Sequence, residues 1–181
     1  PLIVRNPFQA ERGTTTEAQV TWADLAPTIY EFTGVTPPKG LHGRSFLPAM
    51  LGDQLPGWDE VYASHTFHEI QMYYPMRAVG DRRYKLIWNI AYQLPFPFAT
   101  DLWTSATWQA AWTQGPGTAY GRRTVGRYVQ REQFELYDLE QDPHESRNLA
   151  RDPSHAATLA TYTRKLRAFQ ERTSDPWVLK W

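Results

Sequence analysis

The first apolar run, Leu2-Ile3-Val4, is continuous and closed by Asn6-Pro7, the pattern of a short strand buried on both faces. A polar, Gly-containing loop over Arg12 to Thr16 separates it from an expected helix. Asp24 stands where an N-cap belongs, Pro27 falls in the first turn, where its missing N–H is harmless, and Gly34 follows the last turn. Leu25, Ile29 and Phe32 fall on one face of that helix, which therefore needs something to pack on. Strand and helix are one unit of an α/β layer, and one unit cannot make a sheet. The remaining strands are expected upstream of Pro1, so the chain reads as a piece of a longer one. Thr36 to Gly57, rich in Pro and Gly around Gly40-Leu41-His42-Gly43-Arg44-Ser45, reads as a crossing segment. It sets an expected boundary between residues 1–55 and 56–181.

Beyond it the period changes. Val61 to Ser64 is an expected strand. Met76 to Val79 and Tyr84 to Asn89 form an expected hairpin about a Gly80-Asp81 turn, and a last strand runs from Phe134 to Leu139 before Gln141-Asp142-Pro143. These connections are too short for parallel crossovers, so antiparallel pairing is expected. The exception, Ala91 to Gln133, is long and rich in aromatics. Structureless loops of that length are uncommon, and a short helix is expected near Ser105 to Trp112. Leu159, Tyr162, Leu166 and Phe169 put an apolar stripe on a helix starting at Asp152-Pro153, sized to cover one face of the sheet.

Nineteen Lys and Arg balance nineteen Asp and Glu, so no net field draws the chain to nucleic acid or an anionic membrane. No apolar stretch approaches the roughly 20 residues of a membrane span. The absence of cysteine removes disulfides, thiolate metal sites and a cysteine nucleophile together, and leaves the redox compartment open. Eight Trp, ten Tyr and eight Phe provide core volume where aliphatics are few.

Candidate chemistry is sparse. His65 and His68, at i and i+3 and followed by Glu69, are the one close histidine pair. No third ligand is near, so a metal site within this chain is not expected. Two histidines and a carboxylate leaving a strand suit the grip of an anionic or polyhydroxyl ligand, or a structural hydrogen-bonding role. Arg77 is either a partner for sulfate or carboxylate or an exposed residue of the hairpin. Arg122, Arg123, Arg127 and Arg131, interleaved with Tyr120 and Tyr128, read as a solvated face. Asp138, Glu140, Asp142 and Glu145 lack EF-hand spacing and its glycine, and read as an acidic turn.

Several segments together change this picture. Pro1 to Arg5, Asp24 to Ile29, Gly34-Val35 and Leu41-His42-Gly43-Arg44-Ser45-Phe46-Leu47-Pro48 resemble the closing strand, helix and crossing segment of the sulfatase family. Phe134 to Leu149 resembles the same family's C-terminal strand and turn. Ser64 to Arg77, with His68-Glu69 and Met72-Tyr73-Tyr74-Pro75-Met76-Arg77, then Pro95-Phe96-Pro97-Phe98 and Asp175-Pro176-Trp177, is similar to the heparan N-sulfatase (sulfamidase) branch. The resemblance covers essentially all of this chain and only the C-terminal part of the family's fold.

It implies an α/β fold: the last strand-helix unit of an alkaline-phosphatase-like α/β sandwich, then a small antiparallel subdomain with an amphipathic helix. It implies a hydrolase of sulfated sugars whose nucleophile is a formylglycine made in a Cys/Ser-x-Pro-x-Arg motif, with calcium holding the sulfate. No Cys or Ser of this chain opens such a motif, and none of its residues is expected to be nucleophile or calcium ligand. His65, His68, Glu69 and Arg77 are the expected contacts to the saccharide. The missing N-terminal sulfatase domain is the expected partner, a homodimer is admitted, and neither nucleic acid nor membrane is expected. A phosphodiesterase or phosphonate hydrolase is the enzyme alternative. A carbohydrate-binding module using Trp103, Trp108, Trp112 and Tyr120 is the noncatalytic one.

Overall fold

Residues 2–9, 13–50, 56–69 and 72–181 are described by the structure, a computed structural model, and the chain divides into two units, Pro1–Asp59 and Glu60–Trp181.

The N-terminal unit is built around helix α1, Leu25–Thr33. Its entry is set one turn earlier than the sequence suggests. Thr21 caps a short 3-10 turn, Trp22–Asp24, by accepting from Ala23 N at 3.1 Å, and its own N–H donates to Asp24 Oδ2 at 2.8 Å, a reciprocal capping box. Asp24 makes no side-chain cap to α1 itself. Its other oxygen accepts from Arg44 N at 2.9 Å, and Thr28 Oγ1 accepts from Phe46 N at 3.0 Å, so two buried polar side chains hold the crossing segment. Gly34 ends α1 in the left-handed region, φ 71°, as a C-terminal glycine should. A small core of Phe46, Ala49 and Trp58 takes Leu25 from α1.

Two expectations fail here. Leu2 to Val4 forms no strand, and Ile3 is 92% exposed. A strand exists only through hydrogen bonds to a neighbour, and no strand is described in this unit to provide them. Ile29 and Phe32 do not pack inward as Leu25 does. With Phe8 and Trp22, each more than 80% exposed, they leave an apolar surface uncovered.

The second unit is a four-stranded antiparallel sheet. The strands are β1 Glu60–His68, β2 Met72–Asp81, β3 Tyr84–Asn89 and, after the short ladder β4 Ala119–Tyr120 with β5 Arg123–Thr124, β6 Phe134–Asp138. Their order is β1-β2-β3-β6. The turn between β2 and β3 falls one residue beyond the expected place: Gly80 still pairs with Lys85, and Asp81 Oδ1 accepts from the N–H of Arg83 and of Tyr84, both at 2.8 Å. The long connection holds α2 Thr100–Thr104, α3 Ala106–Trp112, capped by Ser105, and α4 Val125–Val129. They close over a core of their own, with Trp108 fully buried among Phe98, Tyr120 and Tyr128. Trp103 and Trp112 stay partly exposed at its edge.

Helix α5, Ala156–Arg172, is entered through Asp152, which accepts from Ser154 N at 3.0 Å, and a Pro153–His155 turn. Tyr162 and Leu166 meet Val79, Leu86, Trp88 and Leu136 in the main core, and Phe169 stacks on Tyr62 at 4.1 Å. Each such aliphatic contributes about 1.5–3 kcal/mol on burial. The chain then folds back: Pro176–Lys180 makes a 3-10 turn, and Trp181 stacks on Trp88 at 3.9 Å.

One ion pair joins that returning segment to the middle of the sheet. Arg77 of β2, 5% exposed, donates through Nε and Nη2 to the two oxygens of Asp175, the Nη2 bond being 3.0 Å. Asp175 also accepts from Trp177 N at 3.1 Å and Gln170 Nε2 at 3.2 Å, and fully buried Gln170 accepts from Trp181 Nε1 at 2.8 Å. Burial alone would raise the Asp175 carboxyl, but hydrogen bonds from Arg77, Trp177 and Gln170 outweigh it and hold it below the usual carboxylate range.

Two outcomes follow from this packing. Asp175→Asn strands a buried guanidinium and should cost roughly 3–5 kcal/mol at pH 7, read as chemical denaturation of the chain. Because the folded carboxyl titrates low, its contribution is full above the unfolded value of about 3.9 and disappears as pH falls through the folded value, so the gap to wild type should close in acid. A gap that persists at low pH would contradict this assignment. Gly43→Ala should loosen the N-terminal unit by about 1–3 kcal/mol, because a Cβ there would stand 2.1 Å from Ala23 O. An unchanged melting profile would mean that this close approach does not exist.

Candidate functional site

The expected site residues lie on the β1–β2 hairpin, whose geometry turns on a proline. Pairing runs in register from Glu60↔Asp81 to His65↔Met76, then shifts and resumes at Phe67↔Tyr73 and His68↔Met72. Tyr74 and Pro75 thus oppose Thr66 alone, a bulge where Pro75, lacking an N–H, costs the ladder nothing. The shift also changes which positions point inward: Met72 and Tyr74 are buried before it, and Pro75, Arg77 and Val79 after it.

His65 sits inside β1, not in a loop beyond Ser64 as the sequence suggested. Its ring Nδ1 is 3.0 Å from Tyr74 O, and since a carbonyl only accepts, Nδ1 carries the proton and Nε2 is left as the acceptor of the neutral ring. The His65 carbonyl accepts from Arg77 Nη1 at 2.9 Å, and Met76 O accepts from the same nitrogen at 2.8 Å. His65 is therefore held at ring and backbone by the two halves of the bulge.

Arg77 departs from the sequence reading most. It is neither exposed nor available to a ligand: Nε and Nη2 are committed to Asp175, and Nη1 to two carbonyls. Asp175 is 98 positions away in sequence, so only the fold could show it. The guanidinium is a brace beneath the hairpin end.

His68 and Glu69 are both exposed, at the end of β1 and in the turn. Glu69 has φ 56°, a left-handed conformation few non-Gly residues adopt, which throws its side chain out of the strand line. Positions 70–71 lie outside the described residues.

The structure adds residues that periodicity did not single out. Phe67 and Tyr73 are cross-strand partners, 64% and 47% exposed, and the Tyr73 ring lies 6.2 Å from that of Trp177, carried there by the Asp175 anchor. Large apolar rings exposed beside a histidine and a carboxylate offer a face for stacking and groups for hydroxyls and amides. The visible signal was the aromatic density of Phe67, Tyr73 and Trp177, but strand patterning alone assigns such residues to a core.

The acidic run is occupied by its own backbone. Asp142 accepts from Ser146 N and Arg147 N, both at 2.7 Å, and from Ser146 Oγ at 2.9 Å; Asp138 accepts from Glu140 N and Gln141 N; Glu145 pairs with Lys85 at 2.8 Å. Among the described residues no group of three or more His, Asp or Glu could hold a metal ion, so calcium finds no fitting donor set there. No described helix is long and apolar enough to cross a membrane.

Comparison with known proteins places this geometry. Residues 1–95 match the family model "N-sulphoglucosamine sulphohydrolase, C-terminal". The chain is 38% identical to human N-sulphoglucosamine sulphohydrolase over 98% of its length and spans 38% of that protein. In three dimensions it is similar to BT1596, a 2-O GAG sulfatase, with TM-score 0.56 and 22% identity, covering 85% of this chain and 25% of that one. It is also similar to BT4656, whose structure is a complex with its substrate D-glucosamine-2-N,6-O-disulfate, with TM-score 0.55 and 19% identity, covering 84% and 24%. These likenesses show the shared sulfatase fold. Since the matched model takes in residues 1–95 of 181, more than half of the chain, the protein belongs to the N-sulphoglucosamine sulphohydrolase C-terminal family.

Proposed function

We propose that this chain is the C-terminal part of a sulfohydrolase that removes sulfate from an N-sulfated glucosamine-type sugar, and that its β1–β2 hairpin end grips the sugar. The observation that carries the reading is the likeness to N-sulphoglucosamine sulphohydrolase along nearly the whole chain. The sulfated glucosamine bound to BT4656 is in keeping with it.

The division of labour follows from the residues present. The nucleophile and the charge that holds sulfate come, in this reading, from the formylglycine and calcium of the complete enzyme. No residue of this chain is assigned to either, since its 181 positions include no cysteine and no Cys/Ser-x-Pro-x-Arg. Glu69 accepts hydrogen bonds from sugar hydroxyls and His68 donates to or accepts from the ring substituents, both from exposed positions. Phe67 and Tyr73 present ring faces to the sugar. His65 and Arg77 act one step back, by holding the strand end from which those groups project. This is positioning: it lowers the barrier by fixing the substrate, and breaks no bond itself.

Two measurements test the proposal. The purified 181-residue polypeptide, supplied with calcium and N-sulfated glucosamine, should release no sulfate, and turnover above a metal-free blank would refute the assignment of roles. In the complete enzyme, Glu69→Gln should lower kcat/KM about ten- to a hundredfold, the loss of one charge-assisted hydrogen bond worth roughly 1.5–3 kcal/mol, with little change in Tm. Unaltered kcat/KM on the N-sulfated substrate would remove the hairpin end from the site.

A further inference from the structure

A basic surface on the β6 side of the sheet takes no part in the proposed grip of the sugar. Arg123 in β5, Arg127 in α4 and Arg131 beyond it recur every four residues and line one side of a crevice of about 60 Å3, with Glu135 and Tyr137 of β6 on the other. The sequence reading of this run was a solvated face. Only part of it is.

Glu135, 4% exposed, organises the crevice. One of its oxygens accepts from Asn89 Nδ2 at 2.7 Å and pairs with Arg131 Nη1 at 3.5 Å; the other accepts from Tyr137 OH and lies 4.0 Å from Arg123 Nη1. One buried carboxylate is thus shared by two arginines. Arg131 is further clamped over Phe96 at 4.2 Å, and Arg123 donates to Tyr137 OH at 3.3 Å and to the Glu145 carbonyl. Such guanidinium groups are already immobilised and lose little entropy on meeting an anion.

The charges do not cancel. Glu132, also in the lining, pairs with Arg151 at 2.8 Å, and Glu145 is matched by Lys85. With Glu132 matched by Arg151 from outside the lining, Arg123, Arg127 and Arg131 stand against Glu135 alone, an excess of two positive charges. Arg127 is exposed and has no ion pair among the described residues, while Arg131 Nε is buried and has no acceptor among them. Orphan donors and excess cation in a preorganised fork are what an oxyanion requires. The crevice is far below the roughly 300–1,000 Å3 of a small-molecule pocket, so it admits a compact group while the rest of the ligand stays outside.

We propose that this crevice is an accessory subsite for one sulfo group of a sulfated oligosaccharide, away from the sugar gripped at the hairpin end. β6 and β1 form opposite edges of the sheet, so the two sites meet different parts of a ligand. The identity of the ligand rests on the sulfatase reading; the preference for an oxyanion rests on the crevice alone.

The test is equilibrium binding of a heparin-derived hexasaccharide to the 181-residue chain, with its N- and O-desulfated counterpart, inorganic sulfate and an oligodeoxynucleotide of equal charge as comparisons. Arg127→Ala removes the exposed donor without touching the Glu135 network, and Arg164→Ala on α5 is the control for general attraction. Expected are hexasaccharide binding that needs its sulfo groups, about two- to tenfold weaker binding in Arg127→Ala at unchanged Tm with a salt slope lower by about one, and no effect of Arg164→Ala. Absence of binding, equal losses in both variants, or oligodeoxynucleotide binding as tight as the hexasaccharide would overturn the subsite. None of these readouts needs turnover, so an inactive complete enzyme would refute the functional proposal and leave this one standing.

Discussion

The bidentate contact between Arg77 and Asp175 is the constraint on which the second unit's useful geometry depends. Both side chains are almost removed from water, at 6% and 10% exposure, where an unmatched charge of either sign costs several kcal/mol. A buried pair is not in itself a source of stability, since desolvation offsets much of the attraction. Its effect is positional. Arg77 uses its third nitrogen on the His65 and Met76 carbonyls at the bulge, and Asp175 uses its remaining capacity on Trp177 N and Gln170. One contact therefore fixes the end of β1, the strand shift at Pro75 and the returning C-terminal turn that brings Trp177 to Tyr73.

What the sequence made legible is what local chemistry determines. The strand over Tyr84 to Asn89, the spacing of Leu159, Tyr162, Leu166 and Phe169, the helix starts near Ser105 and Asp152 and the glycine after Thr33 each depend on chemistry within a few residues, and each appears where it was expected. What escaped depends on distant partners. Leu2 to Val4 has the composition of a strand, and no strand among the described residues pairs with it. Ile29 and Phe32 share a helical face with Leu25 but remain uncovered. Arg77 looked like a surface cation because its carboxylate lies 98 residues further on, and Phe67 and Tyr73 were not singled out because the expected strands stopped at Ser64 and began at Met76, short of the hairpin's real end.

The histidine pair shows the same division. His65 and His68 were legible as a feature, and their residue types suit hydrogen bonding to a sugar. Their different fates, one pinned between Tyr74 and Arg77 and one exposed at the strand end, follow from the bulge that Pro75 imposes. The arginine run was legible as charge alone. Its separation into clamped and open members comes from a single buried glutamate and the aromatic rings around it. In both places a conformational constraint turns a generic side chain into a placed one.

The most direct measurement of this account is a double-mutant cycle on Arg77→Met and Asp175→Leu, followed by denaturant unfolding at neutral pH. Each single change leaves a buried charge without its partner, whereas the double variant leaves neither. The double variant should be more stable than the sum of the two losses allows, with a coupling of roughly 1–3 kcal/mol. Losses that simply add would show that Arg77 and Asp175 act independently, and the hairpin end would need another anchor.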